Sequence, residues 1–202
     1  MSLTKTQICN MALYHLGVSK EMSNVDTESS EEAKTCRVFY DTALESVLKS
    51  FPWPFATVVA ELGLVEEDPT NDWAFSYNYP SDCLTFLRIQ NELRTDSRQS
   101  RLPYKVATDG SAKLIYTDIE DAICEYTRNV TDTSFFTADF NLGLSYFLAS
   151  LMVPKLTRGD QNKILKDVMA LYNMNIGKAK ANALNEGQVD QEVESEFIRS
   201  RE

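Results

Sequence analysis

Phe51-Pro52-Trp53-Pro54-Phe55-Ala56 divides this chain into two kinds of sequence. Before it, apolar residues recur at three- and four-residue steps. After it, they begin to alternate. Two prolines two residues apart disfavour helix before and within themselves, so residues 51–55 read as an extended segment that stops a helix. Three aromatics in that segment mark it as a plug for a core rather than a solvated linker.

Upstream, Ala33, Cys36, Tyr40, Ala43, Leu44, Val47, Leu48 and Phe51 share one face of a helix over about residues 30–50. Ser29 with Glu32 signals its start. Nearer the N-terminus, Thr4 and Gln7 have capping-box spacing, and Ile8, Met11, Ala12 and Leu16 fall on one helical face. Gly17 suits the left-handed position that ends a helix. A first helix over about 4–16 is predicted, with a polar loop to residue 27.

Downstream, residues 56–64 read as a strand and 66–71 as a polar loop. Trp73, Phe75, Tyr77 and Tyr79 alternate with Ala74, Ser76 and Asn78, the pattern of a half-buried strand. Pro80-Ser81-Asp82-Cys83 reads as a turn, 84–90 as a strand, and 91–101 as an exposed loop. Residues 104–107 and 113–116, joined through Asp109-Gly110, make a β-hairpin. A short helix is predicted around 119–127. The helical period returns at Thr137, with Phe140, Leu144, Phe147, Leu148 and Leu151 on a helix interrupted near Pro154. After Arg158-Gly159-Asp160, a fourth helix runs to about residue 184.

The expected fold is therefore α+β and mainly α. An antiparallel helical bundle (1–54 and 119–186) carries an inserted small antiparallel β subdomain (55–118), and an extended C-terminal tail follows (187–202). The tail is acidic, with Val189, Val193, Phe197 and Ile198 as its apolar punctuation. Alone it buries too little to offset roughly 1–2 kcal/mol per residue of backbone entropy.

Composition narrows the function classes. At 43% hydrophobic and 25% charged, the 202 residues suit one folded domain. No apolar run approaches the ~20 residues of a membrane helix, and residues 1–7 lack the form of a secretory signal, so synthesis in a cytoplasm is expected. A net charge of -10 argues against direct nucleic-acid binding. That charge is uneven: residues 21–45 hold seven acids against two bases, residues 185–202 six against two, and residues 137–184 six bases against three acids. Such asymmetry fits a subunit whose neighbours supply the opposite sign.

Catalytic signatures are sparse. The four cysteines, at 9, 36, 83 and 124, stand too far apart for a metal knuckle or a redox dithiol, and buried packing explains them better. His15, at the end of the first helix, is the single histidine and has no nucleophile at readable spacing. No Walker loop, dinucleotide-binding turn or nucleophile elbow occurs. Only carboxylates remain: Glu66-Glu67-Asp68 and Asp118 with Glu120-Asp121 allow a polysaccharide or cell-wall hydrolase as the alternative reading. Aromatics 73–79 lack interleaved bases, so a sheet face suits them better than base stacking.

Larger blocks carry a resemblance. Residues 7–13 (Gln-Ile-Cys-Asn-Met-Ala-Leu) with Leu16-Gly17, then Ala33, Cys36 and Tyr40-Asp41, then 51–56, resemble phage head-to-tail adaptors, called tail tubular protein A in short-tailed phages. Tyr77-Asn78-Tyr79-Pro80-Ser81-Asp82-Cys83-Leu84, Phe140 and Leu148-Ala149 extend the likeness across about residues 5–175. The resemblance implies a structural protein of the virion neck, without enzyme activity or cofactor. It would be a homo-oligomeric ring of about twelve subunits between the portal protein and the tail nozzle. DNA would pass through the ring without sequence-specific binding, and no membrane is involved. An acidic channel wall would repel DNA, which carries about one charge per 1.7 Å. Val193, Phe197, Ile198 and Arg199 in the tail are the candidate partner-binding residues, suited to ordering against the portal or a neighbouring subunit.

Overall fold

The computed structural model describes residues 3–69, 72–90 and 101–186. Among them are four α-helices and two antiparallel sheets, so the chain is mixed α+β with more helix than strand. Helix α1 (Lys5–His15) begins as its sequence demands. Thr4 Oγ1 accepts the Gln7 amide at 3.3 Å, and Gln7 Oε1 accepts the Thr4 amide at 2.8 Å. It ends in a Schellman turn: Gly17, at φ 74°, donates to the Tyr14 carbonyl, and Val18 donates to that of Leu13. Helix α2 (Glu31–Lys49) is capped by Ser30 rather than Ser29, through Ser30 Oγ and the Ala33 amide.

Beyond α2 the chain is extended only as far as Trp53, and Pro54–Ala56 then forms a 3₁₀ turn rather than the continued extended segment expected. Pro54 occupies the first position of that turn, where a missing N–H costs nothing and a fixed φ helps. Trp53 is 1% exposed and sits edge-on to Phe140, with ring centroids 5.1 Å apart. Phe140 belongs to α3 (Ala138–Leu156), which packs against α1, α2 and α4 (Gln161–Asn185) alike. Helices α3 and α4 approach closely at Gly143, where a Cβ would lie 2.9 Å from Ile176 Cδ1 and oblige that side-chain end to shift. Pro154 does not interrupt α3, which continues to Leu156. Proline there removes one ladder bond in the last turn, and Thr157 still donates to the Val153 carbonyl.

One sheet has the order β1 (Thr57–Glu61), β7 (Ile123–Arg128), β4 (Cys83–Ile89). The other has the order β2 (Leu64–Glu67), β3 (Phe75–Asn78), β6 (Lys113–Thr117), β5 (Lys105–Thr108). Cys124, Tyr126 and Ile89 from the first meet Tyr77 and Ile115 from the second, so the sheets share one apolar cluster. A second cluster joins the helices to Trp53, Val130 and Phe136.

Four strand-level expectations change. Residues 56–64 are two strands, not one: the chain leaves the first sheet after Glu61 and joins the second at Leu64. Leu62 donates to the Ala122 carbonyl and Gly63 accepts from Asn78, so the switch itself is held from both sheets. Glu66 and Glu67, expected in a loop, pair with Ser76 and Phe75. The helix expected around 119–127 is replaced by β7, the central strand of its sheet. Cys124 and Tyr126 point inward there while Ile123 is exposed. β7 thus lies past residue 118, in the stretch expected to rejoin the helices. Strand β3 is also covered more fully than half, since Ser76 and Tyr77 are both buried.

Candidate functional site

Val193, Phe197, Ile198 and Arg199 fall outside the described residues, as does most of the loop expected at 91–101. The carboxylates of the hydrolase reading lie within them. Glu66 and Glu67 stand on edge strand β2, and Asp68 follows at φ 48°. The Asp68 amide donates to the Ala74 carbonyl, and the Ala74 amide donates to Asp118 Oδ1 at 3.0 Å. Folding thus brings the two acidic groups, distant in sequence, to one end of the four-stranded sheet. All six, with Glu120 and Asp121, are exposed. Among the described residues Asp118 Oδ1 accepts a backbone amide 44 residues away, which ties the end of β6 to the start of β3.

A serine–histidine contact forms that sequence spacing hid. His15 Nε2 lies 3.0 Å from Ser145 Oγ across the α1–α3 contact, and its ring stacks on Tyr146 at 3.9 Å. Ser145 Oγ donates its hydrogen to the Leu142 carbonyl at 2.8 Å. The network therefore assigns His15 Nε2–H as donor and the serine as acceptor, the reverse of an activated nucleophile. Burial holds the imidazole below its ordinary value of 6.5.

That shift has a consequence for stability. As pH falls through about 6.5, the unfolded chain takes up the proton before the folded one, so acidification destabilises the fold. The stabilisation is complete above that value and is lost toward the lower folded value. We expect the single imidazole resonance to titrate below 6.5, and His15→Gln to flatten the slope of unfolding free energy between about pH 7 and pH 5.5. A resonance titrating at or above 6.5 contradicts the half-buried neutral ring.

The cysteines are free, and three of them are buried. Cys36 Sγ lies 3.5 Å from Met152 Sδ, where α2 meets α3. A hydrogen bond to Cys36, together with burial, pushes the Cys9 thiol up, so Cys9 itself is held in the protonated, non-nucleophilic form. Among the described residues no three His, Cys, Asp or Glu side chains gather to hold a metal ion. No helix among them is long and apolar enough to cross a membrane.

The aromatic stretch is spent on its own sheets. Tyr77 Oη donates to the Ile119 carbonyl at 2.8 Å, and Cys83 Sγ donates to Tyr79 Oη at 3.1 Å. The Lys113 ammonium lies 3.6 Å from the Tyr79 ring centroid. Tyr126 Oη donates to Asp82 Oδ1 at 2.9 Å, and burial, reinforced by that carboxylate, pushes the phenol up to about 12.

An open groove of about 680 Å³ runs beside the first turns of α1, lined by Thr4, Gln7, Asn10, Glu21 and Asn24. Its one buried polar side chain, Asn10, is engaged: Asn10 Nδ2 donates to the Met22 carbonyl at 2.9 Å, and Oδ1 accepts the Met22 amide at 3.0 Å. No protein-family model matches the chain, and no curated protein matches it.

Proposed function

We propose that this chain is a structural head-to-tail adaptor of a tailed phage, acting without catalysis as one subunit of a ring between portal and tail nozzle. In this reading α1–α4 are the antiparallel bundle and the two sheets are the inserted unit. Residues 187–202 are the tail that reaches a partner. DNA passes along the ring's channel, repelled by acidic wall, and the working location is the virion neck.

One observation carries the reading. The residues that make the sequence resemble such adaptors are occupied with packing and chain reversal, not with chemistry. Asn10 ties down the loop after α1, Gly17 ends that helix, and Cys36 and Tyr40 fill the core under α2. Trp53 plugs the space beside α3, and Asp82 anchors Tyr126. Such a motif set supports a protein that works through shape and surface.

The experiment is localisation. Purified virions should contain the chain, and labelled antibody should decorate the neck. Deleting residues 188–202 should abolish capture by the portal in a pull-down while leaving the thermal midpoint unchanged within a few degrees. Absence from virions ends the adaptor reading. Undiminished portal capture by the deletion ends the role given to the tail.

A further inference from the structure

Two surfaces on separate elements match each other in charge and are both apolar. The first is α4. Its Val168, Ile176 and Ala179 face the core, while Leu171, Met174 and Leu184 are exposed, Met174 at 51% and Leu184 at 64%. At 100° per residue, Met174 lies roughly 160° around the helix from Ile176, on the side away from α3. Lys163, Lys166 and Lys178 are exposed on the same helix. Within α4, from Gln161 to Asn185, Asp167 is the single acid.

The second surface is β2, the edge of the four-stranded sheet. All four of its residues are exposed, with Leu64 at 50% and Val65 at 48%. Glu66, Glu67 and Asp68 follow directly, and Asp118 stands at the same end of the sheet. An exposed apolar edge strand invites a further element, and sheets are commonly protected by a helix laid along the edge. Here the flanking carboxylates admit only a basic one.

We propose that α4 of one copy covers the β2 edge of the next, Met174 and Leu171 seating on Leu64 and Val65 and the lysines opposing Glu66, Glu67 and Asp68. The occupant is a second copy of this chain because its own α4 supplies both properties that the edge calls for, positive charge opposite its carboxylates and an exposed apolar side opposite Leu64 and Val65. The two surfaces are different patches, so the contact is heterologous and propagates from copy to copy, the type of contact from which a ring is built when its rotation closes. This rests on the ring reading above and names the faces that meet. It also gives Glu66, Glu67 and Asp68 a role in assembly.

The test uses the full chain. Val65→Cys in one preparation and Met174→Cys in another are mixed and oxidised, with the unsubstituted chain as background for native thiols. The 65–174 heterodimer should exceed the 65–65 and 174–174 products by at least about tenfold, and its yield should fall as salt rises. Lys166→Glu with Lys178→Glu should cut that yield about tenfold, and Glu66→Lys with Glu67→Lys on the opposing chain should restore it. A 65–174 yield no greater than the like-with-like products, absence of any such product, or failure of the charge swap overturns the contact. A virion-neck protein that fails this test loses this contact alone. Chains that pass it yet are missing from virions lose the adaptor reading alone.

Discussion

Trp53→Ala should destabilise the chain by about 3–5 kcal/mol, read as a lowered urea midpoint or a fall of many degrees in Tm. The indole is 1% exposed, lies edge-on to Phe140, and packs near Phe51 and Phe55. Truncation removes its buried surface and leaves a void that Pro52 and Pro54 cannot easily collapse into, because both hold fixed φ angles. Trp53→Phe separates the packing from the hydrogen bond. The indole Nε1 donates to the Val47 carbonyl at 3.0 Å, but that carbonyl also accepts the Ser50 amide and hydroxyl. The acceptor stays satisfied in the phenylalanine variant, so its loss should be smaller, about 1–2 kcal/mol. An alanine variant within about 1 kcal/mol of the parent contradicts the plug.

Asn10→Ala should cost about 2–4 kcal/mol, because it strips one partner from each of the two peptide groups that flank the buried Met22. No other side chain of similar size donates and accepts as an amide does. Asn10→Asp makes this a question of a single hydrogen. The carboxylate still accepts the Met22 amide but opposes the Met22 carbonyl with a second oxygen. Placed there, an aspartate has its folded-state pKa raised, so the variant regains stability as pH falls and the acid form donates. The gap between parent and Asn10→Asp in a denaturant midpoint should therefore narrow below about pH 5. A gap that is flat with pH places the carboxylate in water, and the reciprocal pair then fails.

Elements held by contacts within a few residues were readable in the chain alone. The capping box of Thr4 and Gln7, the Schellman glycine at 17, the amphipathic face of α2 and the stop at Pro52 all follow from near neighbours. So did the β5–β6 hairpin, whose strands are joined by Asp109-Gly110. The misreadings share a different cause. β7 pairs with β1 and β4, and Thr57 lies opposite Thr127. Its alternation of inward Cys124 and Tyr126 with less buried Ile123 and Glu125 was present, but a six-residue strand without a local partner is ambiguous by period alone. Pro154 misled because a proline in the final turn removes only one bond.

Site geometry was less legible than fold. The acids at 66–68 and 118–121 were visible as composition, but their meeting at one sheet end depends on β3 pairing with both β2 and β6. His15 was visible as a lone side chain, and its serine partner lies 130 residues away. Helical period, caps and proline stops were decided by the order of residues, because those energies act across one or two turns. Which strand lies beside which, and which edge and helix side stay uncovered, were decided only when distant segments packed. Burial rewards any apolar face equally and does not name the face it meets.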